Sequence, residues 1–158
     1  MARAIKVAAI FIVAMLVQIH LAELLTIGQI RPDFVLVLLV FVSARYGRMA
    51  GILFGFGSGL IQDYYGSLEV LGANALAKSI VGYTLGTLNG AQTVWTPRIV
   101  NIYIYGALFG HALIYQIVMS FGLEVPLGLL TGHIFLELII SAVIVTGVRL
   151  MVPLLPSR

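Results

Sequence analysis

Five polar side chains interrupt the apolar stretches of this sequence, and their types could support either a ligand pocket or a structural network. They are Asn74, Lys78, His111, His133 and Glu137. Asn74 stands one helical turn before Lys78, and His133 and Glu137 are four residues apart, so each pair shares a helix face. One interpretation is a pocket for an ion or small molecule. The other is a set of ion pairs and hydrogen bonds that hold helices together.

Lys78 is the most informative of the five, because an ammonium group inside a membrane must be paired. It lies about 10 Å of helix from the nearer end of its apolar segment. We expect an acidic partner for it, with Asp63 as first choice, Asp33 as second and Glu137 as third.

The sequence contains no catalytic constellation. The two histidines with Glu137 resemble metal ligands but leave a further ligand unspecified. Ser58 lies between Gly57 and Gly59, yet Phe56 stands where the Gly-x-Ser-Gly motif of an intramembrane serine protease requires glycine. The absence of cysteine excludes disulfides and thiolate metal sites. We therefore expect a protein that is not an enzyme and that has no cofactor and no metal.

Composition indicates a membrane protein. The 158 residues are 61% hydrophobic and 9% charged, with a mean hydropathy of +1.10, far outside the range of soluble domains. No polar segment is long enough to fold alone, so we expect one domain over residues 1–158. The basic residues are dispersed, which argues against a nucleic-acid partner and leaves membrane lipids as the surroundings.

Breakers and charges divide the chain into six apolar segments. We predict an all-α bundle of six transmembrane helices at about 7–27, 33–45, 48–64, 71–91, 98–122 and 126–152. The second and third segments are short, roughly 18 and 22 Å of helix against a hydrocarbon core of about 30 Å. Either their outer ends are recessed in the membrane or the helices continue past Asp33 and Asp63.

The basic residues predict the orientation. With the N-terminus inside, seven of the nine fall at inner helix ends: Arg3, Lys6, Arg45, Arg48, Arg98, Arg149 and Arg158. Because an excess of Lys and Arg marks the cytoplasmic side, we predict a multi-pass protein with both termini in the cytoplasm.

Glycines four residues apart occur seven times, at 47/51, 51/55, 55/59, 82/86, 86/90, 106/110 and 128/132. Chance would give about two such pairs, and the spacing is typical of close helix contact in membranes. Our candidates for helix packing or partner binding are Gly51, Gly55, Gly59, Gly82, Gly86 and Gly90. Contacts within the subunit and contacts with a partner both remain open.

Residues 31–83 carry motifs in a specific order. Arg31-Pro32-Asp33-Phe34 opens an apolar run, Gly51 to Leu60 leads to Asp63, and Leu71-Gly72-Ala73-Asn74-Ala75-Leu76 precedes Val81-Gly82-Tyr83. These segments, the length and the six spans resemble the family of the bacterial rod shape-determining protein MreD. The motif residues are Pro32, Asp33, Asp63 and Gly72.

The resemblance implies a non-enzymatic scaffold of the cell-wall elongation complex in the bacterial cytoplasmic (inner) membrane. Its partner would be MreC, a single-pass membrane protein, and through MreC it would help control peptidoglycan synthesis and rod shape. The glycosyltransferase, the transpeptidase and the cytoskeletal shape protein would be indirect partners. The family's helical arrangement is also similar to the substrate-binding membrane subunits of energy-coupling-factor vitamin transporters. That similarity implies the alternative function, a small-molecule or lipid-binding subunit with a pocket between the outer helix halves.

Overall fold

The computed structural model describes residues 9, 11–13, 15, 16, 18, 33–65, 71–91, 95–123 and 127–151, without the side chains of 91, 122, 123, 127–134, 137 and 151. Six helices lie in these ranges: α1 Phe34–Tyr46, α2 Arg48–Tyr65, α3 Ala73–Leu85, α4 Leu88–Ala91, α5 Pro97–Leu123 and α6 Leu127–Met151. The described residues between 9 and 18 are also helical, and none of the described ranges forms a strand. The predicted all-α class is confirmed.

Helix α1 is the centre of the bundle. It is apolar on all sides, and eight of its 13 residues are buried. A helix without a polar face must be covered by neighbours, and α1 contacts α2, α3, α4 and α6. Its first turn is capped by Asp33, whose Oδ1 accepts the Leu36 backbone N–H at 2.9 Å. The central helix of the molecule therefore begins at a charged residue.

A single residue, Gly47, connects α1 to α2. Its φ of +87° lies in the left-handed region, which favours glycine, and its N–H donates to the Ser43 carbonyl at 2.9 Å. The two helices then run antiparallel, because Gln62 near the end of α2 donates to Asp33 at the start of α1. They form a tight helical hairpin.

Helices α2 and α3 pack backbone against backbone. A Cβ atom at Gly51 would overlap the Gly82 carbonyl, and one at Gly55 would overlap the Lys78 carbonyl. A Cβ atom at Gly59 would lie 2.5 Å from Ala75 Cα. Only glycine permits this approach, so the glycine spacing sets the register of an antiparallel pair.

The predicted segment 71–91 contains two helices rather than one. Helix α3 ends at Leu85 and α4 begins at Leu88. Gly86 packs against the backbone of Arg48, and the Thr87 hydroxyl donates to the Thr84 carbonyl at 2.7 Å. A side chain that competes for backbone carbonyls, next to a residue of low helix propensity, explains the break.

Helices α5 and α6 are also antiparallel to their neighbours. Tyr103 of α5 receives a hydrogen bond from Thr87, and Tyr105 bonds Thr146 of α6 at 2.8 Å. The five long helices therefore alternate in direction. We call the end with the start of α1 and the end of α2 the network end, and the end with Gly47 the basic end.

One stretch of α5, Pro97–Phe121, is long and apolar enough to cross a membrane. Among the described residues, Phe34–Tyr46 of α1 and the stretch Leu138–Leu150 within α6 are shorter and also apolar. Helix α1 begins directly after Asp33, and the described part of α2 reaches Tyr65, two residues past Asp63.

We predict how stability depends on the close contact between Gly55 and α3. Gly55→Ala should destabilise the protein by about 1–3 kcal/mol, because its methyl group would overlap backbone atoms of Lys78 and force α2 and α3 apart. Gly106→Ala is the matched control, since within the described part of the chain no atom lies within 4 Å of its Cβ position. There, a loss of chain entropy in the unfolded state should leave stability unchanged or raise it by about 0.4–1 kcal/mol.

Membrane level and Tm in detergent measure both changes. Equal Tm values for the two variants would contradict the close α2–α3 approach.

Candidate functional site

The candidate site is a buried polar network at the network end, centred on Lys78. The lysine is fully buried, and its ammonium group forms a salt bridge with Asp33 Oδ2 at 2.6 Å. It also donates to Asn74 Oδ1 at 3.0 Å and to Gln62 Oε1. An ammonium group has three hydrogens, and these three acceptors use all of them. The charge is thus neutralised and its hydrogen bonds are complete.

The acceptors of Lys78 come from three different helices or their caps. Asp33 caps α1, Gln62 belongs to α2, and Asn74 lies on α3, one turn before the lysine. Gln62 bridges the pair, because its amide also donates to Asp33 Oδ1 at 3.3 Å. The network therefore holds the ends of α1, α2 and α3 together.

Asp63 has a different task from the one we predicted. Its Oδ2 accepts the backbone N–H groups of Gly72 at 3.0 Å and Ala75 at 3.1 Å, and its Oδ1 accepts the N–H of Asn74 at 3.0 Å. Gly72, with a φ of +102°, precedes α3 and has no side chain to cap it. The carboxylate of α2 therefore caps α3, and its charge favours the helix N-terminus.

The predicted order of partners for Lys78 was wrong. Asp33, the second choice, forms the ion pair. Asp63, the first choice, reaches Lys78 only through Asn74, whose Nδ2 donates to Asp63 Oδ1 at 3.0 Å. The physical reason is that the backbone N–H groups at the start of α3 need acceptors. Both carboxylate oxygens of Asp63 accept hydrogen bonds from them, and Lys78 pairs with Asp33 instead.

The other predicted polar residues are placed as follows. His111 on α5 is buried, stacks on Tyr115 with ring centroids 6.3 Å apart, and interacts electrostatically with Asp33. The backbones of His133 and Glu137 lie in α6, but their side chains lie outside the described residues, as does Pro32. Among the side chains that are described, no three acidic or histidine groups converge to hold a metal ion.

Two glutamines of the site were not predicted. Gln62 bridges Lys78 and Asp33, and Gln18 from the N-terminal helix accepts the Phe34 backbone N–H at 2.9 Å. Gln62 directly precedes Asp63, so its position at a polar helix end was a signal that could have found it. Gln18 carries no comparable signal, because its role depends on where the first helix packs.

Most of the candidate glycines form contacts between helices of the same chain. Gly51, Gly55 and Gly59 of α2 face α3, and Gly82 and Gly86 face α2 in return. Gly90 differs, since none of the described residues comes within 4 Å of its Cβ position. The surface formed by Gly51, Gly55 and Gly59 is therefore covered by α3 and is not open to a second helix.

An apolar groove of about 340 Å³ runs between α3 and α5. It is lined by Ile80, Val81, Thr84, Ile102, Tyr103, Gly106, Ala107, Gly110 and Ile114. None of these residues is charged, and the hydroxyl groups of Thr84 and Tyr103 are hydrogen-bonded within the chain. Gly106 and Gly110 lie four residues apart, and no atom of the described residues lies within 4 Å of either Cβ position. Backbone of α5 is thus accessible in the groove.

Chemically, the network is suited to holding helices rather than to binding or catalysis. Lys78 has no hydrogen left to offer, and Asp33 and Asp63 already accept two and four hydrogen bonds from groups other than lysine. Removing one member of a buried ion pair strands the other charge, whereas removing both is far less costly.

Double substitution tests this. Lys78→Met alone should cost about 3–5 kcal/mol, because Asp33 would keep an unpaired buried charge. Adding Asp33→Asn should restore most of that loss, whereas adding Asp63→Asn should lower stability further, since Asp63 caps α3 independently. Tm in detergent and membrane level are compared across the single and double variants. Additive losses for Lys78 and Asp33 would show that the two charges are not coupled.

Comparison with known proteins identifies a family. The model of the family described as rod shape-determining protein MreD matches residues 3–155. No curated protein and no solved structure matches the chain.

Proposed function

The chain belongs to the family of the rod shape-determining protein MreD, and we propose that it is a non-enzymatic membrane scaffold of the cell-wall elongation complex. Membership assigns it a role in determining rod shape, within a family of membrane proteins. The finer function is our proposal, in which the chain partners MreC and through it helps control peptidoglycan synthesis.

Placement in the bacterial inner membrane is part of the proposal. The five long described helices alternate in direction. The basic end carries Arg45, Arg48, Arg98 and Arg149. Both features support six membrane spans in one domain with cytoplasmic termini, because an excess of arginine marks the cytoplasmic side. On this placement the network end lies toward the outside.

The complete network at Lys78 favours a scaffold over the alternative, a small-molecule or lipid-binding subunit. A pocket built on Lys78 and Asn74 would need donors or acceptors directed at the ligand. Here the ammonium hydrogens are used by Asp33, Gln62 and Asn74. The same bonds fix three helices relative to one another, as a scaffold requires.

We assign the single membrane helix of MreC to the groove between α3 and α5. The groove is concave, so a second copy of the same face would not fill it, whereas one convex helix would. Its lining is uncharged, which suits an apolar helix. The open glycines 106 and 110 let a helix backbone approach closely, and that contact is the main source of helix association in lipid.

Filling the groove tests the function. Gly106→Leu with Gly110→Leu should leave the membrane level unchanged, because both sites are open, but should block the partner helix. In rod-shaped cells that lack their own MreD, the wild-type chain should restore rods and recover MreC, and the double variant should do neither. Gly147→Leu is the control, since this open glycine of α6 lies outside the groove. Normal shape and normal recovery in the double variant would remove the groove from the proposal.

Single cysteines test the orientation, and the chain has none of its own. A membrane-impermeant maleimide added to intact cells, with the outer membrane permeabilised where one is present, should label Leu71→Cys at the network end and Glu124→Cys. Thr96→Cys, next to α5 at the basic end, should react only after the inner membrane is opened. External labelling at position 96 would overturn the orientation.

A further inference from the structure

The turn at the basic end is held rigidly by residues that have no part in the polar network. Asn89 of α4 donates from Nδ2 to the carbonyl oxygens of Ala44 at 3.1 Å and Arg45 at 2.6 Å. Gly86 packs directly against the backbone of Arg48. These contacts fix the last residues of α1 and the first of α2, which are joined only by Gly47.

The rigid turn presents two exposed arginines. Arg45 ends α1 and Arg48 begins α2, and the Arg48 guanidinium lies over the Tyr83 ring, 5.3 Å from its centroid. That contact leaves the edge of the guanidinium free, because a cation–π partner occupies only one face. The carboxylates whose side chains are described, Asp33 and Asp63, both lie at the opposite end. Within the described part of the chain, neither arginine has an acidic partner.

An exposed apolar track on α2 begins beside these arginines. It comprises Met49, Leu53, Phe56 and Leu60, which are 70%, 66%, 52% and 43% exposed. Their spacing of four, three and four residues places them on one face of the helix. The track extends from the arginine pair toward the network end over roughly three turns.

We propose that this surface binds an anionic phospholipid, with Arg45 and Arg48 on its phosphate group and an acyl chain along the α2 track. Cationic groups directly beside an apolar strip match a molecule with an anionic head and an apolar tail. Arginine suits the head because its planar fork offers paired donors to phosphate oxygens. An acidic protein segment would satisfy the arginines but would have no use for the track. The inference rests on the proposed membrane placement but not on the MreC partnership.

Asn89 acts as a positioning residue, because it holds the turn that carries the two arginines. Without its amide, the carbonyl groups of Ala44 and Arg45 lose their link to α4, and the turn can move. Lipid binding should then weaken although both charges remain.

Native mass spectrometry of the purified chain, delipidated and then given equal amounts of phosphatidylglycerol and phosphatidylcholine, tests the site. The wild type should retain phosphatidylglycerol preferentially, and Arg45→Gln with Arg48→Gln should reduce that retention roughly tenfold or more. Arg98→Gln removes another exposed arginine of the basic end and should leave retention close to wild type. Asn89→Ala should fall between. Tm in detergent confirms that each variant is folded.

Two outcomes would overturn the proposal. Equal losses in Arg98→Gln and in the double variant would mean that charge at this end acts diffusely, without a defined site. Unchanged lipid retention in the double variant would by itself show that the arginines do not bind the lipid. Reduced recovery of MreC by that variant would then assign them to an acidic protein segment. Because the measurement uses the chain alone in detergent, its result is separate from that of the cell-shape experiment.

Discussion

The burial of Lys78 is the constraint on which the arrangement of the helices depends. An ammonium group removed from water needs a counter-charge and an acceptor for each hydrogen, or it would cost several kcal/mol. The chain supplies these from the start of α1, the end of α2 and the first turns of α3. The three helix ends must therefore meet at one point. A shift of any helix by one residue would leave a donor or an acceptor unpaired.

The glycine contact imposes the same register by a different force. Where Gly51, Gly55 and Gly59 meet α3, the backbones touch, and van der Waals packing replaces the hydrophobic effect that lipid does not provide. The Lys78 carbonyl lies against Gly55 while its ammonium group reaches Gln62, so one residue takes part in both systems. Packing fixes how close α2 and α3 come, and the network fixes how they are staggered. Neither system alone would determine both.

The sequence predicted which residues need a partner, but it did not predict which partner each one has in the fold. The all-helical class, the need of Lys78 for an acid and the unusual glycine spacing all follow from local patterns. The identity of the acid does not. Asp63 is nearer to Lys78 along the chain than Asp33 is, but Gly72 leaves the start of α3 without a side-chain cap, and that need exists only once α2 and α3 pack. The close contact of Gly86 with the backbone of Arg48, which lies 38 residues earlier, is likewise not visible in the local sequence. Such competition between partners is a property of the tertiary structure.

The completeness of the network also limits what could use it. A ligand with a carboxylate could replace Asp33 on Lys78 only if Asp33 moved away. Asp33, however, caps the central helix α1 and accepts a hydrogen bond from Gln62, so its displacement would open the α1–α2 hairpin at the network end. Binding there would oppose the contacts that order the bundle, and the ligand would have to supply that energy. The groove between α3 and α5 and the arginine turn carry no such penalty, because neither takes part in the network. Function in this fold is therefore expected on the outer surfaces of the bundle, with the interior serving to keep those surfaces in place.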